Sequence, residues 1–404
     1  NVLEYLENIS NDNKVIDKNG SITYKDLQVV SKKIGSGLAK YVKNNDPVPV
    51  YMEKGISCLE VFMGSLYAGG FYSLLNAGLP KMRLEQIISV LDVDYVVTDK
   101  EHLENAKEFF PDKELILYED LVDSEIDDGL LSNIRARKLD VDPVYANFTS
   151  GSTGVPKGVV VGNRSIIDFI DNFTSTFGIN ETDIIANQAP FDFDVSVKDI
   201  YPALKTGATL VIVPKELFSR PAELIDFLVE HKVTTMTWAV SALCLISTFH
   251  GLDYKVPETV KRVMFSGEVM PMKHLKEWMK HLPNATFVNL YGPTEITCNC
   301  TYHIIDRNRE YEKIPVGIPF NNEDVFLLDE NNKLVVNSEI KGEICVRGSA
   351  LALGYYKNKE QTDRAFVKNP LNDKYIEYIY RTGDLGYYEN NDLYFGGRKD
   401  FQIK

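Results

Sequence analysis

The eleven residues Phe148-Thr149-Ser150-Gly151-Ser152-Thr153-Gly154-Val155-Pro156-Lys157-Gly158 constrain this chain more than any other stretch. Three glycines and a proline bar the run from a helix interior, and Val159-Val160-Val161 follow it with the pattern of a strand. The run is therefore a loop feeding a sheet. Backbone amides in such a loop can nest an anion, and four hydroxyls and Lys157 add donors and charge. Phosphate is the ligand this chemistry suits. The run is not a Walker A loop, which needs Gly-Lys-Ser/Thr opening a helix. Here Pro156 precedes the lysine and Gly158 follows it.

Around this loop, short apolar runs alternate with helical periodicity. Val48–Met52 and Tyr95–Val97 read as buried strands. Leu27, Val30, Ile34 and Leu38 mark an amphipathic helix within 21–43, and a helix from Cys58 ends at Gly69-Gly70. Residues 119–141 are acidic and read as an irregular, solvated connection. After the loop come a helix from Asn163, strands at 184–185, 209–213, 234–238, 263–265 and 286–290, and helices at 196–204, 222–230 and 272–281. This alternation predicts layered α/β structure with parallel strands. From about 312, β-like runs between turn signals predict a small β-barrel-like unit. The expected division is an α/β subdomain over 1–143, a second over 144–311 carrying the phosphate loop, a β subdomain over 312–398, and the start of a hinge at 399–404.

The length of 404 residues calls for two or three such units, and 44% hydrophobic with 25% charged residues is globular composition. A net charge of −14 argues against nucleic acid and against an anionic membrane surface. No apolar run approaches the roughly 20 residues of a membrane span. Five scattered cysteines fit a reduced, cytoplasmic protein. Cys298 and Cys300 lack a second pair and read as strand residues on one face rather than a zinc site.

Three further runs put polar groups after apolar strands: Tyr291-Gly292-Pro293-Thr294-Glu295, Tyr380-Arg381-Thr382-Gly383-Asp384 and Gly397-Arg398-Lys399-Asp400. Open α/β sheets bind ligands in such places. Together with the loop, in this order, they resemble the adenylate-forming superfamily of acyl-CoA ligases, luciferases and adenylation domains of nonribosomal peptide synthetases. The resemblance runs from about residue 10 to 404. It implies that Thr149, Ser150, Gly151, Ser152, Thr153, Gly154 and Lys157 hold the β- and γ-phosphates of ATP. It also implies that Asn289 bonds the adenine amino group and Tyr291 stacks on the ring, with Gly267, Glu268 and Gly292 lining the pocket. Thr294 would touch the α-phosphate, Glu295 hold Mg2+, and Asp384 and Arg398 contact the ribose. One glutamate suffices chemically, because Mg2+ takes few carboxylates and several phosphate oxygens.

Pro190-Phe191-Asp192-Phe193-Asp194-Val195-Ser196 bears on substrate class. In the branch that activates amino acids, an aspartate at the position of Asp194 pairs with the substrate ammonium; as a bare residue, Asp194 could equally cap the helix near Ser196. Within that branch the chain is similar to D-alanine–carrier-protein ligases and related synthetase modules, on Phe193–Pro202, Ser219-Arg220-Pro221 and Phe265–Pro271. It departs from those ligases at Ser266, where they have cysteine, at Lys198, where they have an apolar residue, and at Val240-Ser241, near which they carry Thr-Pro. The implied side-chain pocket is Asp194, Val195, Lys198, Thr237, Met264, Ser266, Leu290, Cys298 and Asn299. Lys198 could meet an acidic or amide side chain, pair with Asp194 four residues earlier, or reach solvent.

The resemblance implies attack of an amino-acid carboxylate on the α-phosphorus of ATP, then transfer to the phosphopantetheine thiol of a carrier protein. A monomer is expected. A CoA ligase for a small carboxylic acid and an inactive nucleotide-binding module are the alternatives. Asp400 matches the hinge before a mobile C-terminal subdomain, whose lysine bridges carboxylate and ATP. Lys404 comes too early to be that lysine, so the chain alone is expected to bind nucleotide and adenylate poorly.

Overall fold

A computed structural model describes residues 1–149, 154–336 and 340–399. Two mixed sheets flanked by helices form the body, and an antiparallel sheet follows, which is the expected α/β class. The nine-stranded sheet runs Ile318–Pro319, Thr301–Ile304, Thr286–Tyr291, Arg262–Ser266, Thr235–Ala239, Ile184–Asn187, Thr209–Ile212, Lys14–Asp17, Gly20–Thr23. Its centre is parallel and its two edges antiparallel. The seven-stranded sheet runs Gly354–Tyr355, Lys157–Gly162, Pro143–Thr149, Phe71–Leu74, Pro47–Tyr51, Tyr95–Thr98, Glu114–Leu117. The third sheet spans Glu323 to Arg398 and holds the hairpin Tyr378–Glu389 and Asp392–Arg398.

The sheets are not contiguous in the chain. Residues 14–23 join the nine-stranded sheet and 143–162 the seven-stranded one, so a boundary after 143 coincides with no sheet boundary. The reason is pairing. Tyr145 lies opposite Tyr72, and the loop's two strands form one hairpin.

The helix Tyr24–Leu38 starts on Thr23, whose side chain accepts from the Asp26 amide, and buries Leu27, Ile34 and Leu38. It lies unusually close to the helix Ile56–Tyr67. A Cβ on Gly64 would stand 2.4 Å from Ile34 Cγ2, and one on Gly35 2.6 Å from the Cβ of Tyr67. The segment 119–141 is not irregular. It contains the helices Tyr118–Val122 and Asp128–Arg135, which pack Leu121 and Leu131 toward Tyr24–Leu38. Cys298 and Cys300 are buried in the loop before Thr301 rather than on a strand. No helix among the described residues is long and apolar enough to cross a membrane.

Candidate active site

Parallel strands end together at the carboxyl edge of the nine-stranded sheet, and the hairpin Tyr378–Arg398 lies over that edge. Between them is a cavity of about 370 Å³ whose walls include Gly267, Glu268, Asn289, Tyr291, Val316 and Arg398. Asn289 donates from Nδ2 to the Pro315 carbonyl at 2.8 Å. Tyr291 donates its hydroxyl to Asp384 Oδ2 at 2.8 Å. Burial, with the Asp384 carboxylate beside it, pushes the Tyr291 phenol well above its ordinary range, so it stays a donor. Asp384 and Arg398 are opposite residues of the hairpin, and Arg398 Nη1 meets Asp384 Oδ1 at 2.8 Å. Gly292 permits a close crossing here, since a Cβ would stand 2.5 Å from the Asn299 Cα.

The second region holds the ends of the phosphate-loop hairpin. Thr149 and Lys157 are opposite residues, which brings the loop's two ends together. Ser150, Gly151, Ser152 and Thr153 lie outside the described residues, as does Asp400, expected at a hinge. Gly154, at φ +81°, has open space around it. The Lys157 ammonium stands 5.3 Å from the centre of the Tyr355 ring, and the Tyr355 hydroxyl donates to Glu295 Oε1 at 2.7 Å. Tyr355 reaches this place because Gly354–Tyr355 adds to the strand Lys157–Gly162 as an edge. Nothing in the residues near 355 marks it in the sequence. A cavity of about 380 Å³ is walled by Thr149, Thr294, Asp194, Asn147, Phe148 and Arg83. Arg83 also escaped the sequence reading, because its helix Lys81–Leu91 follows an unremarked turn.

Asp194 opens a short 3-10 turn, Asp194–Ser196, that runs into the helix Val197–Thr206. It caps neither, since neither start has a side-chain cap hydrogen bond. Burial raises its carboxyl above the usual range, opposed by a hydrogen bond from Thr294 and the charge of Lys198. Val195 is partly exposed in the same turn. Thr237 lies opposite Met264, and Ala239 opposite Ser266, on neighbouring parallel strands. Strand alternation puts Thr237, Met264 and Ser266 on one face, and Leu290, two residues beyond the partner of Met264, joins them.

Lys198 neither pairs with Asp194 nor reaches solvent. It is 1% exposed, and its ammonium donates to Ser266 Oγ at 3.0 Å and Asn299 Oδ1 at 2.7 Å. Asn299 is aimed by an unusual turn in which Thr297 and Cys298 both have positive φ, 53° and 84°. Such backbone costs about 1–3 kcal/mol per residue and persists where surrounding contacts fix it. The Thr297 hydroxyl, donated to the Ala350 carbonyl, is one such contact.

The geometry is therefore two cavities linked in the chain by the Tyr291–Thr294 turn, one beside the charge-paired Arg398 and Asp384 and one walled by Thr149 and the half-buried Asp194. Solved structures share its frame. The nonribosomal peptide synthetase FmoA3 superposes with a TM-score of 0.89 at 25% identity, over 98% of this chain and 42% of that one. Its alpha-methyl-L-serine-AMP bound form gives 0.87 at 25% identity, over 97% and 44%. D-alanine--D-alanyl carrier protein ligase of Bacillus velezensis is 32% identical over 394 residues, covering 95% of this chain and 75% of the relative. The Bacillus cytotoxicus protein of the same name is 30% identical over 409 residues, 96% and 76%. The chain thus spans about three quarters of these relatives and under half of the synthetase chain. The model for AMP-binding enzymes matches residues 6–356, a stretch that carries both the hairpin loop and the Tyr291–Glu295 turn, and the chain belongs to that family.

Proposed function

We propose that this chain activates an amino acid with ATP, forming aminoacyl-AMP and pyrophosphate, and that the aminoacyl group passes to the phosphopantetheine thiol of a carrier protein. One observation carries the reading. Thr149 at the root of the phosphate loop, Thr294 and Asp194 wall a single cavity, so a phosphate grip and a carboxylate able to hold an ammonium face the same space. The names of the curated relatives, and the aminoacyl adenylate in the FmoA3 structure, support it.

In this reading Asn289 and Tyr291 hold adenine, while Asp384 and Arg398 contact the ribose. Thr149 and Lys157 hold the outer phosphates, and Thr294 touches the α-phosphate. Glu295 suits Mg2+, being one carboxylate beside phosphate sites with its Oε1 oriented by Tyr355. When bound, that ion neutralises charge on the departing pyrophosphate. Asp194 anchors the substrate ammonium, and a buried carboxylate favours such a cation. The chain's own contribution is position and charge stabilisation. We place the reaction in the cytoplasm, where the five free cysteines stay reduced, and in a monomer.

The test is ATP–pyrophosphate exchange by the full-length protein with amino acids and their deaminated counterparts. Exchange is expected only with the amine present. Asp194→Asn should lower it roughly 100-fold, the effect of truncating one member of a buried charge pair, while ATP affinity holds. Exchange indifferent to the amine would favour a CoA ligase for a small acid. ATP binding without exchange under any acid would favour an inactive nucleotide-binding module.

A further inference from the structure

Lys198 is among the largest fully buried side chains of the molecule and has no carboxylate within ion-pair distance among the described residues. An ammonium carries three donors. Two are taken by the neutral oxygens of Ser266 and Asn299. The Cys298 thiol beside the ammonium is a weak acceptor, and the carboxyls of Asp194 and Asp199 act on it only from beyond ion-pair distance. Lys198 is also the second residue of its helix, where the macrodipole is positive and disfavours a cation. The adjacent Asp199 does not supply the missing charge. It is held by Asn187 Nδ2 at 2.9 Å, and burial pushes its carboxyl up to about 8. Nearby in the same implied pocket, Thr237 Oγ1 is buried without a hydrogen-bond partner. Burying a charge whose hydrogen-bond partners are all neutral is costly, and here a second donor, Thr237, has no partner among the described residues.

We propose that the amino acid taken by this site has an acidic side chain, of the aspartate or glutamate kind, whose carboxylate binds Lys198. The inference rests on the amino-acid reading above. Lys198 lies four residues beyond Asp194, and the two side chains are near enough for the Lys198 charge to act on the Asp194 carboxyl. One zwitterion can therefore set its ammonium on Asp194 and its side-chain carboxylate on Lys198, leaving the α-carboxylate toward ATP. The site's two charges and the ligand's then cancel in pairs. Ser266, Asn299 and the strained turn behind Asn299 are positioning residues that hold the ammonium in place.

The experiment measures exchange by the full-length protein with aspartate, glutamate, asparagine, glutamine, alanine and serine, each as both enantiomers. In parallel, affinity is measured for the aminoacyl-sulfamoyl-adenosine analogues of each acid and its amide. An acidic amino acid should exceed its isosteric amide by about tenfold or more in kcat/KM and in analogue affinity, the gap between charged and neutral hydrogen bonds. Lys198→Met should erase that preference. The unmodified protein alone decides the case if the variant fails to fold. An amide or uncharged amino acid as best substrate overturns this inference and leaves amino-acid activation standing. Failure of every amino acid, with deaminated acids active or no exchange at all, overturns both.

Discussion

Two buried charges, Asp384 and Lys198, are handled in opposite ways. Asp384 has a 1% exposed side chain and is met by Arg398 across a hairpin and by the Tyr291 hydroxyl. Lys198 is just as buried and is met by a serine hydroxyl and an asparagine carbonyl. Asp384 is therefore balanced before any ligand arrives, whereas Lys198 is a charge kept in reserve. A buried pair is costly to break from one side, while an unpaired buried charge is costly to keep. The first pattern suits an invariant ligand, and the second a site whose ligand supplies what is missing.

Breaking the balanced charge should have the largest effect. Asp384→Asn leaves Arg398 facing a neutral group and should cost about 3 kcal/mol, read by urea denaturation, with ATP affinity falling alongside. A loss below about 1 kcal/mol would mean the two charges do not differ as described.

The next comparison asks whether Lys198 has a hidden counter-ion. Asp199 is raised by burial to about 8, so the folded state holds a proton that the unfolded state has released above its ordinary carboxylate range. Stability should then fall as pH rises toward 8, by at most about 1.4 kcal/mol per pH unit from this group. Glu60 and Glu323, raised by burial to about 7 and about 8, add to the same limb, so Asp199→Asn should make it shallower in thermal melts without abolishing it. A slope that Asp199→Asn leaves unchanged would mean Asp199 is already ionised and serves as the partner of Lys198.

The smallest effect should also have the opposite sign. Lys198→Met replaces an unpaired buried cation with an apolar side chain of similar length and should be neutral or stabilising by about 1 kcal/mol in the ligand-free protein. A marked loss of stability would show that Lys198 is structurally balanced after all.

The strand–helix alternation was legible because each segment carries its own period. The helix at 24–38, the strands at 209–212 and 262–266 and the phosphate hairpin all stand where local pattern puts them. The helices at 118–122 and 128–135 were not legible. Each buries a single leucine, Leu121 or Leu131, on another helix, too little to show as a period. The site was legible as motifs and illegible as environments. That Lys198 meets Asn299, a hundred and one residues later, depends on a turn built from Thr297 and Cys298, which no propensity would place at positive φ. Tyr355 likewise enters through strand pairing with Val159.

The interleaving of the two large sheets has a consequence for how the molecule is made. Val15 pairs with Leu210 and Tyr355 with Val159, so one sheet takes an edge hairpin and the other an edge strand from far along the chain. On the ribosome, the hairpin at 14–23 must wait, an open edge on view, until the strand at 209–212 has emerged. Non-local pairing of this kind is slow and exposed to aggregation. Cutting the gene between the sheets should therefore leave two fragments that each lack a strand held by the other.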